Sequence, residues 1–213
     1  MDLHGDTLLW KRDMLEAAHR GHIDLPRLKE GNVALQVFSS VTKTPRDQNY
    51  DNNTAETDNI TLLAIGQLQP LRTWTSLLER TLWHGERLER AAAESDGELA
   101  LVRTPADIVP VRAPDAGSAP VAAMLSVEGL HNLEGDLANL DKLYDAGVRM
   151  AGLVHFFDNE LAGSMHGVDK GGLTDMGREA VRRMEAMGMV VDIAHCSHTC
   201  VGDVLAVAQR PVV

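Results

Sequence analysis

What most limits the folds open to this chain is an alternation. Short runs of Val, Ile and Leu, each about one strand long, are separated by longer stretches with helical spacing of apolar residues. Val33-Ala34-Leu35-Gln36-Val37-Phe38 reads as a buried strand, and so do Val121 to Val127, Val148 to Val154 and Met189 to Ala194. A short opening strand at Asp2 to Gly5 and a last one at Pro211-Val212-Val213 complete the set. Between them the spacing predicts helices over Ile60 to Ala93, Leu133 to Ala146, Thr174 to Met187 and His198 to Ala208. The third is the best marked: Thr174 opens it as a cap, Met176, Ala180, Val181 and Met184 share one face, and Gly188 ends it. Strands alternating with helices imply an α/β fold whose parallel sheet is joined by right-handed crossovers.

Two polar stretches interrupt the pattern. Thr42 to Asn59 follows the second strand, is rich in Asn, Asp and Thr, and falls where a strand-to-helix loop lies, on the face that carries function in a barrel. Ala113 to Pro120, rich in Pro, Gly and Ser, precedes the third strand and reads as a connection on the opposite face. About six strands are counted, against the eight of a closed (β/α)8 TIM barrel. The last apolar run has no helix to cover it, and a natural domain rarely ends on an uncovered strand. The expectation is one catalytic barrel domain over residues 1–213, incomplete at its C-terminal side.

Bulk properties exclude several functions. A length of 213 residues suits one domain with a sizeable core, or part of a larger one. A net charge of −11 with no block of Lys or Arg argues against nucleic acid and anionic membrane as partners, since both need a basic patch. It suits a site whose carboxylates are offset by metal ions. No apolar run approaches the roughly 18 residues of a membrane span, and Met1-Asp2-Leu3-His4 does not open a secretory signal. Cys196 and Cys200 are the only cysteines, so there is no disulfide framework; free thiols fit a reducing compartment, and the expected location is cytoplasmic. A homodimer is an admissible assembly that nothing in the sequence decides.

Chemistry-bearing residues recur at strand ends. His4-Gly5-Asp6 puts an imidazole and a carboxylate on one side of a strand, half of a zinc site. The run ending Ser126-Val127-Glu128 delivers a carboxylate, Leu153-Val154-His155 an imidazole, and Ile193-Ala194-His195 another. Taken singly, each has a plainer explanation: a polar strand end, an exposed Glu, a satisfied core histidine. Together, His4, Asp6, Glu128, His155 and His195 fall at C-terminal strand ends, which converge on one rim in a barrel.

At this point the chain resembles the membrane (renal) dipeptidase family. Asp2-Leu3-His4-Gly5-Asp6-Thr7-Leu8 is similar to that family's opening strand, and Ser126-Val127-Glu128-Gly129 to its central Glu motif. Gly171-Gly172-Leu173-Thr174 through Val191-Asp192-Ile193-Ala194-His195-Cys196-Ser197 resembles its most characteristic segment, and His155 with Asp158 to Ser164 resembles the bacterial branch. The likeness spans nearly the whole chain. It implies a zinc-dependent dipeptidase that hydrolyses the peptide bond of a dipeptide substrate with a metal-bridging hydroxide. His4 and Asp6 would hold one of two Zn2+ ions, Glu128 would bridge both, His195 would hold the other, and His155 would be the catalytic contact to the polarised carbonyl. A second histidine for the second ion, a substrate-anchoring Arg and an acid/base Asp lie, in the family, beyond Val213. Arg46 stands where the animal members carry a Cys.

Other features invite over-reading. Cys196, His198 and Cys200 lack the second Cys pair of a structural zinc knot, and packed thiols are the simpler reading. His19 and His22 read as surface residues of a helix-and-turn region, His131 as a loop or site-lining residue, and His166 as an unassigned residue of a flexible strand-to-helix loop within reach of substrate. Trp74 and Trp83 read as packing residues of the long helix. Asp192 reads as lying on the face opposite His195, in a supporting or purely structural role. The competing functions are another barrel amidohydrolase acting on an N-acyl amino acid or cyclic amide, and an inactive truncated barrel. The amidohydrolases typically open with His-x-His, and Asp6 in the third position favours the dipeptidase.

Overall fold

The computed structural model describes residues 1–108 and 119–213, so residues 113–118 of the expected Pro/Gly/Ser-rich connection lie outside the described residues. Among the described residues, five parallel strands form one sheet: β1 (Leu35–Val41), β2 (Leu99–Leu101), β3 (Val121–Glu128), β4 (Val148–Gly152) and β5 (Val190–Asp192). β3 is the hub. β1 runs along one of its edges, from Leu35 opposite Ala122 to Val41 opposite Glu128. Its other edge is divided: β2 takes Val121 to Ala123, β4 takes Leu125 to Val127, and β5 follows on β4. β1 is buried along its whole length, as a parallel strand covered on both faces must be.

The two expected terminal strands are reduced to partial pairings. Asp2 forms a single parallel bridge to Gln36, and Ser39 N donates to Gly5 O at 2.9 Å. At the far side Val213 donates to Val191 O at 3.0 Å and accepts from Ile193 N at 2.8 Å. The result is an arc of parallel segments running from the N-terminal segment through β1, β3, β4 and β5 to Val213, which is the wall of an incomplete (β/α)8 barrel.

The helices differ from expectation where a breaker intervenes. The long helix expected over residues 60–93 is three: α2 (Asn59–Gly66), α3 (Arg72–Thr75) and α4 (Leu77–Glu94). Pro70 explains the break, since it lacks an N–H and disfavours helical backbone at the preceding residue; Leu68 (φ +54°) has already turned the chain. Trp74 and Trp83 therefore sit on different helices, α3 and α4. The helix expected over residues 133–146 becomes a 3-10 turn at Leu130–Leu133 and a shorter α5 (Asn139–Asp145). A six-residue helix, α1 (Leu25–Glu30), and the three-residue β2 are too short to leave a periodic signal. His19 and His22 are exposed, as expected, but in irregular chain rather than a helix. α6 (Asp175–Met187) and α7 (His198–Val207) match their signals: Thr174 Oγ1 accepts from Gly177 N at 3.0 Å, and Gly188 leaves α6 in the left-handed region.

α4, α5 and α6 pack against β1 and β3, β4, and β5 respectively. On α4 the buried face includes Leu78, Leu88 and Ala91, but also Arg80, Thr81 and His84. Ser40 Oγ meets His84 Nδ1 at 2.8 Å and Thr81 Oγ1 at 3.1 Å. The Arg80 guanidinium donates to Thr73 O (2.6 Å), Thr42 O (2.5 Å), Trp74 O (3.2 Å), Asp58 Oδ2 (2.7 Å) and Thr61 Oγ1. A buried charge needs such saturation, and here it fixes both ends of the polar loop 42–58 that leaves β1. Among the described residues, no helix is long and apolar enough to cross a membrane.

Candidate metal centre

The carboxyl ends of the strands deliver the site. Glu128 is the last residue of β3, His155 lies three residues beyond β4, His195 three beyond β5, and His4 and Asp6 follow the bridge at Asp2. Glu128 Oε1 lies 3.6 Å from His4 Nε2, 3.4 Å from His155 Nε2 and 3.1 Å from His195 Nε2. His4 Nε2 lies 3.1 Å from Asp6 Oδ1. The N-terminal segment and β5 are four strand spacings apart, about 19 Å in a flat sheet. Their histidines meet one oxygen only because the sheet curls as a barrel wall does. All five residues expected at the site are thus brought together.

Local conformation achieves this where strand alternation does not. Residues 3–6 are not a regular strand; Asp6 leaves extended backbone (φ −89°, ψ 27°) to start a short 3-10 turn. β5 stops at Asp192, and His195 adopts φ +64°, held by Met165 N, which donates to its carbonyl at 2.8 Å. The expectation that alternation puts Asp192 opposite His195 therefore does not apply. The Asp192 carboxylate accepts from Ala194 N at 2.8 Å and shapes the turn. Gly129 (φ +88°) follows Glu128, and a Cβ there would lie 2.6 Å from the His131 ring and 3.0 Å from His155 Cβ. Only glycine lets these two imidazoles press on the backbone beside the carboxylate.

The electrostatics differ from one histidine to the next. Contact with the Asp6 carboxylate, opposed by burial and helped by the charges of Glu128, Asp6 and Asp192, raises His4 to about 9. Burial, then the neighbouring His195, His131, His4 and His166, pushes His155 down to about 2. His131 lies beneath the site rather than in it: it is buried, its Nε2 meets Thr42 Oγ1 at 3.0 Å, and burial lowers it to about 3.

The donor set fits metal ions. Two groups of potential ligands share Glu128: His4 with Asp6, and His155 with His195; in each, the ligand atoms lie within 4.8 Å of one another. Among the described residues, buried Asp6 Oδ1 has no hydrogen-bond partner, although an imidazole stands beside it. N and O donors gathered at this spacing around one carboxylate oxygen suit zinc or a similar divalent ion. A cleft of about 560 Å³ opens over the centre, lined by Trp10, Leu63, Phe156, Thr44, Gln48 and Asn59 among others. Phe156, Trp10 and Leu63 carry no metal-ligand chemistry, and nothing in the sequence pattern marked them. Cys196 and Cys200 form no third ligand group; their sulfurs pack 3.0 Å apart as free buried thiols.

A parallel α/β barrel wall whose rim gathers three imidazoles and two carboxylates defines the class: a (β/α)8-type barrel with a candidate metal centre at the carboxyl ends of its strands. The chain belongs to the membrane dipeptidase family (peptidase family M19), whose pattern it matches over residues 1–213. It is 29% identical over 196 residues to a Schizosaccharomyces pombe protein named an uncharacterised dipeptidase, covering 90% of this chain and 42% of that one. It is 28% identical over 225 residues to the dipeptidase aclJ of Aspergillus oryzae, covering 99% and 48%. A Rhodobacter sphaeroides metallopeptidase, solved with a phosphinate mimic of the dipeptide L-Ala-D-Ala, shares the fold: TM-score 0.70 at 21% identity, over 99% of this chain and 63% of that one. The chain spans a little under half the length of these two curated relatives.

Proposed function

We propose that residues 1–213 are the metal-bearing portion of a single catalytic barrel domain, and that the activity is zinc-dependent hydrolysis of dipeptides. The observation that carries this reading is the single oxygen, Glu128 Oε1, faced by three imidazole nitrogens at 3.1–3.6 Å, with the Asp6 carboxylate beside one of them. His4 and Asp6 would hold one Zn2+, His195 the other, and Glu128 both. The chemistry two such ions supply when bound is a hydroxide nucleophile near neutral pH and a polarised scissile carbonyl.

The chain's own groups do the rest. His155 reaches the rim as a buried imidazole and donates from Nε2 to the substrate's carbonyl oxygen. Trp10, Leu63 and Phe156 give the cleft an apolar side, and Thr44, Gln48 and Asn59 offer polar partners to the ends of a short peptide. The cleft volume falls in the usual range for small-molecule sites, about 300–1,000 Å³. Free thiols at Cys196 and Cys200 support a reducing, cytoplasmic location.

The test is metal analysis combined with hydrolysis of dipeptides and of N-acyl amino acids. Bound zinc, loss of dipeptide hydrolysis on chelation and its return with zinc are the expected results. Hydrolysis that survives chelation, or that favours N-acyl amino acids, would overturn the reading. Zinc content of His155→Ala separates its two roles: loss of an ion would make it a ligand instead of the carbonyl contact.

A further inference from the structure

His166 lies outside the ligand set, in the stretch 158–169 that follows β4, yet it is tied to both sides of the site. We propose that His166 is a positioning residue: it clasps the cleft-lining loop 42–58 with its Nδ1 and supports the His195 imidazole with its ring. The second half of this rests on the reading of His195 as a metal ligand; the first half does not.

The stretch that carries His166 is held rigidly. Asp158 accepts three backbone N–H groups, from Ser164 (2.7 Å), Val168 (2.8 Å) and Asp169 (2.8 Å). Gly167 has to be glycine for this, because a Cβ there would lie 2.1 Å from Asp158 Oδ1. Ser164 Oγ donates to the His155 carbonyl and accepts from His166 N, while Met165 N donates to the His195 carbonyl. The loop is thereby sewn to the backbone of two of the site's histidines and is not the flexible segment its glycines suggested.

From that platform the side chain does two separable things. Its Nδ1 lies 2.7 Å from Tyr50 O. A carbonyl only accepts, so Nδ1 carries the proton. The His166 carbonyl in turn accepts from Asn53 N at 2.9 Å and Asn53 Nδ2 at 2.8 Å, and Asn53 Nδ2 also reaches Asn49 O at 2.7 Å. These bonds pin the middle of loop 42–58, whose flanks supply Thr44 and Gln48 to the cleft. His166 is 7% exposed, and its ring packs against His195 with centroids 5.3 Å apart and against Phe156 at 5.2 Å. His195 Nδ1 is buried and has no hydrogen-bond partner among the described residues, so none of them orients the ring through that nitrogen. Packing by His166 and Phe156, with the His155 ring at 4.7 Å, does the orienting that a hydrogen bond usually provides.

Two substitutions separate the functions. His166→Phe keeps a ring against His195 and removes the donor to Tyr50; His166→Asn keeps a donor near Nδ1 and removes the ring. Amide hydrogen exchange over residues 42–58, zinc affinity by chelator competition, and KM for a dipeptide are measured on the wild type and both variants. His166→Phe should speed exchange in the loop and raise KM about 3- to 10-fold, the worth of one hydrogen bond, with little change in zinc affinity. His166→Asn should leave loop exchange near wild type and weaken zinc binding about 10- to 100-fold, as loss of a ligand-orienting partner does. Equal effects of both variants on every readout, or none on any, would overturn the proposal. If the wild type binds no zinc, the metal reading itself falls, and the clasp then stands or falls on the exchange data alone.

Discussion

Lowering the pH from about 6.5 to about 4.5 should cost this fold roughly 5 kcal/mol through His84 and His131 alone. Both are fully buried as neutral imidazoles, His84 against Ser40 Oγ at 2.8 Å and His131 against Thr42 Oγ1 at 3.0 Å. Burial first, then Arg87 and Arg80, lowers His84 to about 3; burial first, then Lys43 and Arg80 against an opposing Asp58, lowers His131 to about 3. The folded values lie below the unfolded one, so the unfolded chain takes up the protons first. The stability these residues contribute is intact above about pH 6.5 and is lost as pH falls toward 3. Each group costs up to about 1.4 kcal/mol per pH unit and about half that where the unfolded imidazole is itself half-protonated, near pH 6.5, so two groups over two units give the figure above, against a usual total of about 5–15 kcal/mol. The assay is urea unfolding, followed by far-UV circular dichroism, across that pH range. His155 adds to the slope in the same sense in metal-free protein, so the decisive comparison is between variants. His84→Asn and His131→Gln each keep a hydrogen-bonding group and remove the titration, and each should flatten the pH dependence by about 1.4 kcal/mol per unit. Slopes unchanged from wild type in both would refute the argument.

Glu128→Gln should lower zinc content at both ligand groups, because its carboxylate belongs to each; retention of two firmly bound ions on metal analysis would contradict this. Arg80→Met should destabilise by about 3–5 kcal/mol, the usual cost of breaking a buried ion pair, because it strands Asp58 and the carbonyls of Thr42 and Thr73; denaturant unfolding measures it. Gly129→Ala should cost more than about 1 kcal/mol, since φ +88° and a 2.6 Å approach to the His131 ring both oppose a Cβ. A melting temperature equal to that of wild type would show that the backbone relaxes freely there.

The sequence by itself determined the periodic elements. α6 is bounded by its own Thr174 cap and Gly188, and the strands read as largely apolar runs because a parallel strand such as β1 is covered on both faces. It also placed His4, Asp6, Glu128, His155 and His195 at strand ends, which was enough to nominate them because strand ends of a parallel barrel share one rim. What it could not carry was anything set by contacts distant along the chain. The break at Pro70 was readable locally, yet the leucine spacing on either side of it masked the proline. β2 exists because one half of an edge of β3 was vacant for three residues. His131 and His166 looked alike as loop histidines. Tertiary packing made one a buried support beneath Glu128 through Thr42, and set the other against His195 and Tyr50, partners 29 and 116 residues away. Even within the nominated site, strand alternation is not what brings the residues together. His195 points at Glu128 because a left-handed turn, braced from the next loop by Met165, swings it there. Periodicity is a property of neighbours along the chain, whereas a site is made where distant segments close on one another, and only the curled sheet brings them there.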